Sequence, residues 1–314
     1  MTNANEDRWP DPEVVDLPRQ QAGSSSQALL GALLADYTFE DAGGLTSEAV
    51  VRLLAEFGIS SSGARSALSR IVKRGLLVPH RRGRTVTYDI SDTARLTHRA
   101  KLGAVVRFGT PAPLWDGQWT VAVFSVPETQ RILRQRLRTL LENGGFAMFA
   151  DAVWVCPWDR RDHASRIGSD LGVHLALFRG EFFACGDSEM TPSRAFDLRA
   201  VRKEYDTFLD THADEAAAII RGQLTADRAL VLRTTVLRDW RRIAALDPAL
   251  PQQLLPMDWP QGEARQVFEV LWRGLGPLAL ARLRTLLADI DPAVAINVEL
   301  MDIEVPQSGT STTP

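Results

Sequence analysis

At 314 residues, and with about 150 residues per domain as a prior, the chain has room for two or three domains, each with its own core. Its 45% hydrophobic and 24% charged residues are globular proportions, which excludes collagen, coiled-coil rods and wholesale disorder. The net charge of −3 argues against a uniformly basic protein, but that average conceals one strongly basic segment.

The first 20 residues, MTNANEDRWPDPEVVDLPRQ, are acidic and broken by prolines where a secretory signal needs a basic start and an apolar run. The richest apolar run, 28–35, is closed by Asp36 and falls well short of the ~18 residues of a membrane span. Two cysteines, Cys156 and Cys185, cannot build a disulfide framework, and no CxxC pair offers a zinc site. The expectation is a soluble cytoplasmic protein without a membrane partner, with flexible tails at 1–26 and 304–314.

The spacing predicts a helix over 27–37 with Ala28, Leu29, Ala32 and Leu33 inward, broken by Gly43 and Gly44. Thr46 or Ser47 can cap a second helix, whose Val50, Leu53, Leu54 and Phe57 share one face and which Gly58 closes. A third runs over 60–75, with Ala64, Ala67, Leu68, Ile71 and Val72 on one side and Ser62, Arg65, Ser66, Ser69 and Lys73 on the other. The period then changes from 3.6 to 2: LLVPHR, a turn at Arg82 and Gly83, and RTVTYDIS read as a hairpin with a basic tip. From Ser61 to Arg84 stand Arg65, Arg70, Lys73, Arg74, Arg81, Arg82 and Arg84, without one Asp or Glu. Three helices and a hairpin describe a winged helix-turn-helix over 27–92, its third helix suited to the major groove and its wing to the backbone. Small hydroxyls beside long cations can approach base edges and still reach phosphates. The DNA-contacting set is Ser62, Arg65, Ser66, Ser69, Arg70, Lys73, Arg81, Arg82 and Arg84, and the partner is double-stranded DNA. A winged-helix module used only for protein contacts would not need an acid-free face.

A helical connector over 93–113 leads to a middle domain over 114–188. Its elements are a strand over 119–126, a helix over 128–142 with Ile132, Leu133, Leu137, Leu140 and Leu141 apolar, and two strands joined at Ala150 and Asp151. A helix in DRRDHASRIGSDLG and a strand in HLALFRGEFF follow. The order βαββαβ is that of a ferredoxin-like domain. Residues 189–303 read as a helical domain with helices over 193–221, 226–246 and 263–289. Between the last two, DPALPQQLLPMDWPQG sets Leu254, Leu255, Met257 and Trp259 among prolines and is expected to be a rigid, packed connection. The fold class is therefore α+β and multidomain.

This order of features resembles the PaaX family of bacterial transcriptional repressors, named for control of phenylacetic acid degradation. The resemblance spans about residues 27–290 and rests on four stretches. They are GISSSGARSALSRIVKRGLL with RRGRTVTYDIS, then LWDGQWTVAVFSVP, GFAMFADAVWVCP and, most distinctive, DPALPQQLLPMDWP. It implies a winged-helix N-terminal domain, a ferredoxin-like middle domain similar to CRISPR-associated spacer-acquisition proteins, and a helical C-terminal domain. It also implies a homodimer, released from its operator by an acyl-CoA such as phenylacetyl-CoA. Carried over by position, the recognition helix is 60–74 and the wing 80–84.

The rival reading is a metal-dependent nuclease or RNA-processing enzyme on the middle domain, which would need a carboxylate near the end of the first strand. That strand ends Phe124, Ser125, Val126, Pro127, so neither enzyme activity nor a cofactor is expected. His163 with Asp162, and His212 with Asp210 and Asp214, lack the i, i+4 imidazole pairing of a helical zinc motif and read as polar surface positions. Cys156 reads as core, and GDS at 186–188 lacks the G-x-S-x-G turn. Trp115, Trp119 and Trp154 are candidates to stack on an aromatic acyl group or an adenine, with domain packing as the alternative.

Overall fold

The computed structural model describes residues 26–39, 44–83, 85–110, 114–183, 191–301 and 303. Arg84, Cys185, the GDS stretch and the two tails beyond Ser26 and residue 303 lie outside the described residues. The protein is α+β, with long helices and small antiparallel sheets. Among the described residues, no helix is long and apolar enough to cross a membrane. Two compact units divide the described residues: 109–205 with 245–260, and 26–108 with 206–244 and 261 onward.

The second of these units opens with α1 (Ser26–Asp36), β1 (Tyr37–Thr38), β2 (Leu45–Thr46), α2 (Ser47–Ala55) and α3 (Ser61–Lys73). Then come β3 (Leu77–Arg82), β4 (Thr85–Ile90) and α4 (Asp92–Arg107). From the C-terminal half it takes most of α7 (Leu198–Ile220) and α8 (Ala226–Leu246), with α9 (Gln261–Leu287), α10 (Pro292–Asn297) and β9 (Glu299–Leu300). The chain end returns to the beginning: β9 pairs antiparallel with β1, Tyr37 opposite Leu300, and the Met301 amide donates to the Asp36 carbonyl at 2.9 Å.

Burial explains why these helices pack as they do. Phe108, Trp240, Phe268 and Trp272 form a run of rings with successive centroids 5.5, 4.7 and 5.8 Å apart. The last carbonyls of α4 lie past the reach of its i→i+4 ladder and need other partners. Arg265 supplies one, donating to the Val106 carbonyl and, at 2.8 Å, to that of Phe108, while Trp240 Nε1 donates to the Val105 carbonyl at 3.1 Å. Deeper still lies the ion pair of Arg233 and Asp36, both under 5% exposed. Its two hydrogen bonds measure 2.7 and 2.9 Å, a further bond reaches the Trp272 carbonyl, and the guanidinium lies 3.7 Å over the Trp272 ring.

The other unit is built on β5 (Trp119–Phe124), α5 (Arg131–Asn143), β6 (Ala147–Ala150), β7 (Val153–Cys156), α6 (Arg161–Leu171) and β8 (Leu175–Gly180). Its sheet is antiparallel throughout, in the order β6-β7-β5-β8, so β5 and β7 occupy the centre. One face carries Ala122, Phe124, Trp154 and Cys156, which pack with Leu137, Leu141, Ala164 and Ile167 from the two helices. Burial pushes the Cys156 thiol up to about 11, the behaviour of an inert core cysteine. The proline-punctuated loop is fixed by its own polar bonds. Tyr205 donates to Asp247, Asp247 accepts from the Ala249 amide at 2.6 Å, and Trp158 Nε1 donates to the Ala249 carbonyl at 2.9 Å.

Several boundaries differ from the sequence reading. Ala28 is exposed, because α1 is buried on almost every side from Leu29 onward and the periodicity misplaced its inner face. Ile132 is 87% exposed, since within α5 it lies about 140° round the helix from Leu137 and about 180° from Leu141, the two buried positions. The helix expected over 193–221 is two elements, a 3₁₀ turn Pro192–Ala195 and then α7. The hairpin turn falls one residue later than expected, since Arg82 pairs with Thr85 across a tip that begins at Gly83. The turn between β6 and β7 also falls one residue later, at Asp151 and Ala152, with Ala152 in the left-handed region. Met257 is fully exposed rather than packed; Leu250, Pro251 and Pro260 hold the loop down instead.

Two stability predictions follow from the buried polar groups. Asp36→Ala should cost about 3–5 kcal/mol, because it strands a guanidinium in the interior. Tyr37→Phe should be neutral or stabilising, because the Tyr37 hydroxyl is buried without a partner. Urea unfolding of the two variants measures both. Burial, aided by Arg241 and Lys101, holds His98 down to about 4 from its ordinary 6.5. Between those values the unfolded chain binds the proton and the folded one does not, so stability should fall as pH drops from 6.5 toward 4. Melting curves across that window should be flatter for His98→Gln; parallel curves would contradict the assignment.

Candidate nucleic-acid interface

Ser60 caps α3, its hydroxyl accepting from the Gly63 amide at 3.2 Å and lying 3.1 Å from that of Ser62. Ala64, Ala67, Leu68 and Ile71 are buried against α1 and α2. That leaves Ser62, Arg65, Ser69, Arg70 and Lys73 exposed and Ser66 half-buried, as the spacing requires. Arg70 donates to Ser66 at 3.1 Å, one turn back, so these two hold each other while Arg65 and Lys73 extend freely from the same side. With no acidic residue on the face, its positive field is uncompensated.

The hairpin is anchored to α3 at its base. The Ser91 amide donates to the Leu76 carbonyl, the Ser91 hydroxyl donates to the Gly75 carbonyl at 2.8 Å, and the same hydroxyl caps α4. A third strand, β2, adds to β4 with Leu45 opposite Tyr88. Its approach requires Gly44, which has φ +81°; a Cβ there would stand 2.4 Å from the Asp89 carboxylate. At the outer end Arg81 is exposed and donates to the Gly83 carbonyl at 3.3 Å, and His80 lies 3.4 Å from Asp89. Arg84 and the side chain of Arg82 lie outside the described residues. Arg65 and Lys73 on α3 and Arg81 on the hairpin are each exposed.

The three tryptophans do not line one open cavity. Trp154, directly opposite Ala122 on the neighbouring strand, is buried on the helix-covered face of the sheet. Trp119 points to the opposite face, where it stacks edge-on with Trp115 at 5.5 Å and meets Phe196 at 6.5 Å. Trp115 Nε1 donates to the Pro157 carbonyl at 2.8 Å. A cluster the sequence did not reveal lies beside them. Arg179 on β8 joins Asp116 at 2.6 Å, Asp159 at 3.8 Å and Thr120 at 3.1 Å, a local neutralisation of two carboxylates 43 positions apart in the chain. Among the described residues, no group of three His, Cys, Asp or Glu side chains is placed to hold a metal ion. His212, read as a surface position, is buried; its Nε2 lies 3.1 Å from Asp239, and Asp210 and Asp214 point to solvent.

Three family models match the chain in succession: a PaaX-like protein model at residues 25–94, the PaaX protein central Cas2-like domain at 112–191, and the PaaX-like protein C-terminal domain at 196–284. A curated relative, the transcriptional repressor PaaX of Escherichia coli (strain K12), is 25% identical over 265 residues, 82% of either chain. Among solved structures, the uncharacterized protein Rv0674 from Mycobacterium tuberculosis superposes with a TM-score of 0.53 at 23% identity. That likeness covers 82% of this chain and 98% of the other and speaks for the fold. With all three models matched in order along its length, the chain belongs to the PaaX family.

Proposed function

We propose that the protein is a sequence-specific DNA-binding transcriptional repressor that acts as a homodimer and is released by a small-molecule effector. The observation that carries this reading is the exposed, acid-free face of α3 beside a basic hairpin tip. The likeness to a relative named as a transcriptional repressor supports it. On this reading residues 27–92 are a winged helix-turn-helix, with α3 in the major groove and the β3–β4 hairpin as the wing. The strand order β6-β7-β5-β8 supports a ferredoxin-like middle domain, and α7 to α10 form the helical C-terminal domain. The reading is of a non-enzymatic, cytoplasmic regulator rather than a nuclease.

Within the interface, Arg65 and Ser66 near the start of α3 read bases, supported by Ser62 and Ser69, while Arg70 and Lys73 reach phosphates. Arg81, Arg82 and Arg84 on the wing hold phosphates or the minor groove. The effector acts from outside 27–92; the family resemblance implies an aryl-acyl-CoA, with Trp115, Trp119 and Trp154 as the aromatic contacts to examine. Since Trp119 and Trp154 are buried, such a ligand has to open the packing round them.

Arg65→Ala should cost about 1–3 kcal/mol and relax preference at one base pair of each half-site. Arg81→Ala should instead weaken all sequences alike and flatten the salt slope by about one unit. Anisotropy titrations of operator and scrambled duplexes over a range of salt separate the two, and an Arg65→Ala chain with unchanged affinity and preference would remove α3 from the groove. The same titrations with phenylacetyl-CoA test release: operator must weaken ligand binding by the factor by which ligand weakens operator binding. Cleavage of DNA or RNA in Mg²⁺ or Mn²⁺, lost on a middle-domain substitution, would favour the nuclease instead.

A further inference from the structure

Ser26, the first residue of α1, donates from its hydroxyl to the Gly63 carbonyl at 3.4 Å, in the first turn of α3 and two residues before Arg65. Whatever precedes Ser26 is therefore tethered at the end of α3 where its exposed basic side begins. The 25 residues before it, outside the described residues, read MTNANEDRWPDPEVVDLPRQQAGSS and set Glu6, Asp7, Asp11, Glu13 and Asp16 against Arg8 and Arg19. Asp16 stands ten positions before Ser26, a reach of up to about 35 Å. The 13 residues of α3 span about 20 Å, so each of these carboxylates is within reach of every cation on the helix.

Charge decides where such a segment settles. Arginines elsewhere on the surface already hold carboxylates: Arg134 has Glu128, Arg161 has Asp159 and Arg202 has Asp258, each at 2.8 Å. Among the described residues Arg65, Arg70, Lys73 and Arg74 have no such partner, and α3 contains no acid. One exposed ion pair is worth little in water. Several on one tether are worth more, because a linked partner is present at an effective concentration on the order of millimolar. Pro10, Pro12 and Pro18 also reduce the entropy lost when the segment is ordered on a surface.

We propose that residues 1–25 dock on the basic face of α3 when DNA is absent, with Asp11, Glu13 and Asp16, the three acids nearest the tether, against Arg65, Arg70 and Lys73. A duplex then binds only by displacing them, since its phosphates and these carboxylates compete for the same cations. The effect on DNA binding rests on the repressor reading; the contact itself does not.

Lys73 makes the contact readable, because Lys101 and Lys203 are the other lysines of the chain. Carbodiimide treatment of the full chain without DNA, followed by peptide mass spectrometry, should give amides from the carboxylates of 1–25 to Lys73 and not to the exposed Lys203. Salt at about 1 M, where the screening length is about 3 Å, or an added random-sequence duplex should remove them. The second arm is an anisotropy titration of that duplex at about 50 mM salt with the full chain carrying Glu6→Gln, Asp7→Asn, Asp11→Asn, Glu13→Gln and Asp16→Asn. This chain should bind about three- to tenfold more tightly than the unaltered one, the gain that follows if the face is otherwise open for about 10–30% of the time. The gain should shrink as salt rises. Absence of amides to Lys73, amides that persist in the presence of salt and duplex, or equal measurable affinity of the two chains would overturn the proposal. Amides to Lys73 in a chain that binds no duplex would keep the contact and sink the repressor reading; a chain that selects an operator but forms no such amide would do the reverse.

Discussion

The guanidinium of Arg233 is buried in the helical interior, and almost everything about the unit around it follows from how it is neutralised. An unpaired charge at that depth would cost several kcal/mol, so its partner has to come to it. Asp36, the last residue of α1, does so from 197 positions away in the chain, with both carboxylate oxygens engaged. The Trp272 ring covers the guanidinium and the Trp272 carbonyl takes a further N–H. Space for the group is made by Gly276, where a Cβ would stand 3.3 Å from the guanidinium and 3.1 Å from Leu300. A buried pair of this kind is a weak source of net stability but a strong source of position, since any arrangement that separates the partners leaves two bare charges.

The N-terminal helices and the C-terminal helices are consequently one body and not two beads on a string. The half-buried link from Arg282 to Glu56 and the β1–β9 pairing repeat the same connection at the periphery. The basic face of α3 thus rides on the scaffold that contains the aromatic run of Trp240, Phe268 and Trp272. α9 packs on α2 and α2 on α3, so the basic face of α3 is in direct mechanical contact with the C-terminal helices.

What could be read from the sequence was what short-range periodicity encodes. The inner stripe of α3, its serine cap and its basic outer face are all set by contacts within four residues, and the bounds of α8 were recovered without error. The order of strands and helices in the sheet domain was legible for the same reason. The partners of buried polar groups were not. Asp36 looked like the stop of an apolar run, because its pairing with Arg233 spans the chain and leaves no local signal. His212 was misread likewise: it was taken with Asp210 and Asp214 as a polar surface position, while its partner Asp239 comes from another helix. The two-residue strands β1 and β9 are too short to carry a period of 2, and only the return of the chain to Asp36 creates them.

The measurement that bears most directly on the account is selection of binding sites for the full chain from a random pool of double-stranded DNA, repeated with Arg65→Ala. The account predicts enrichment of a two-fold symmetric sequence with half-sites about one helical turn apart, and loss of information at one position of each half-site in the variant. Failure to enrich any sequence over the starting pool, or the same logo from both chains, would contradict the assignment of α3 as the element that reads DNA.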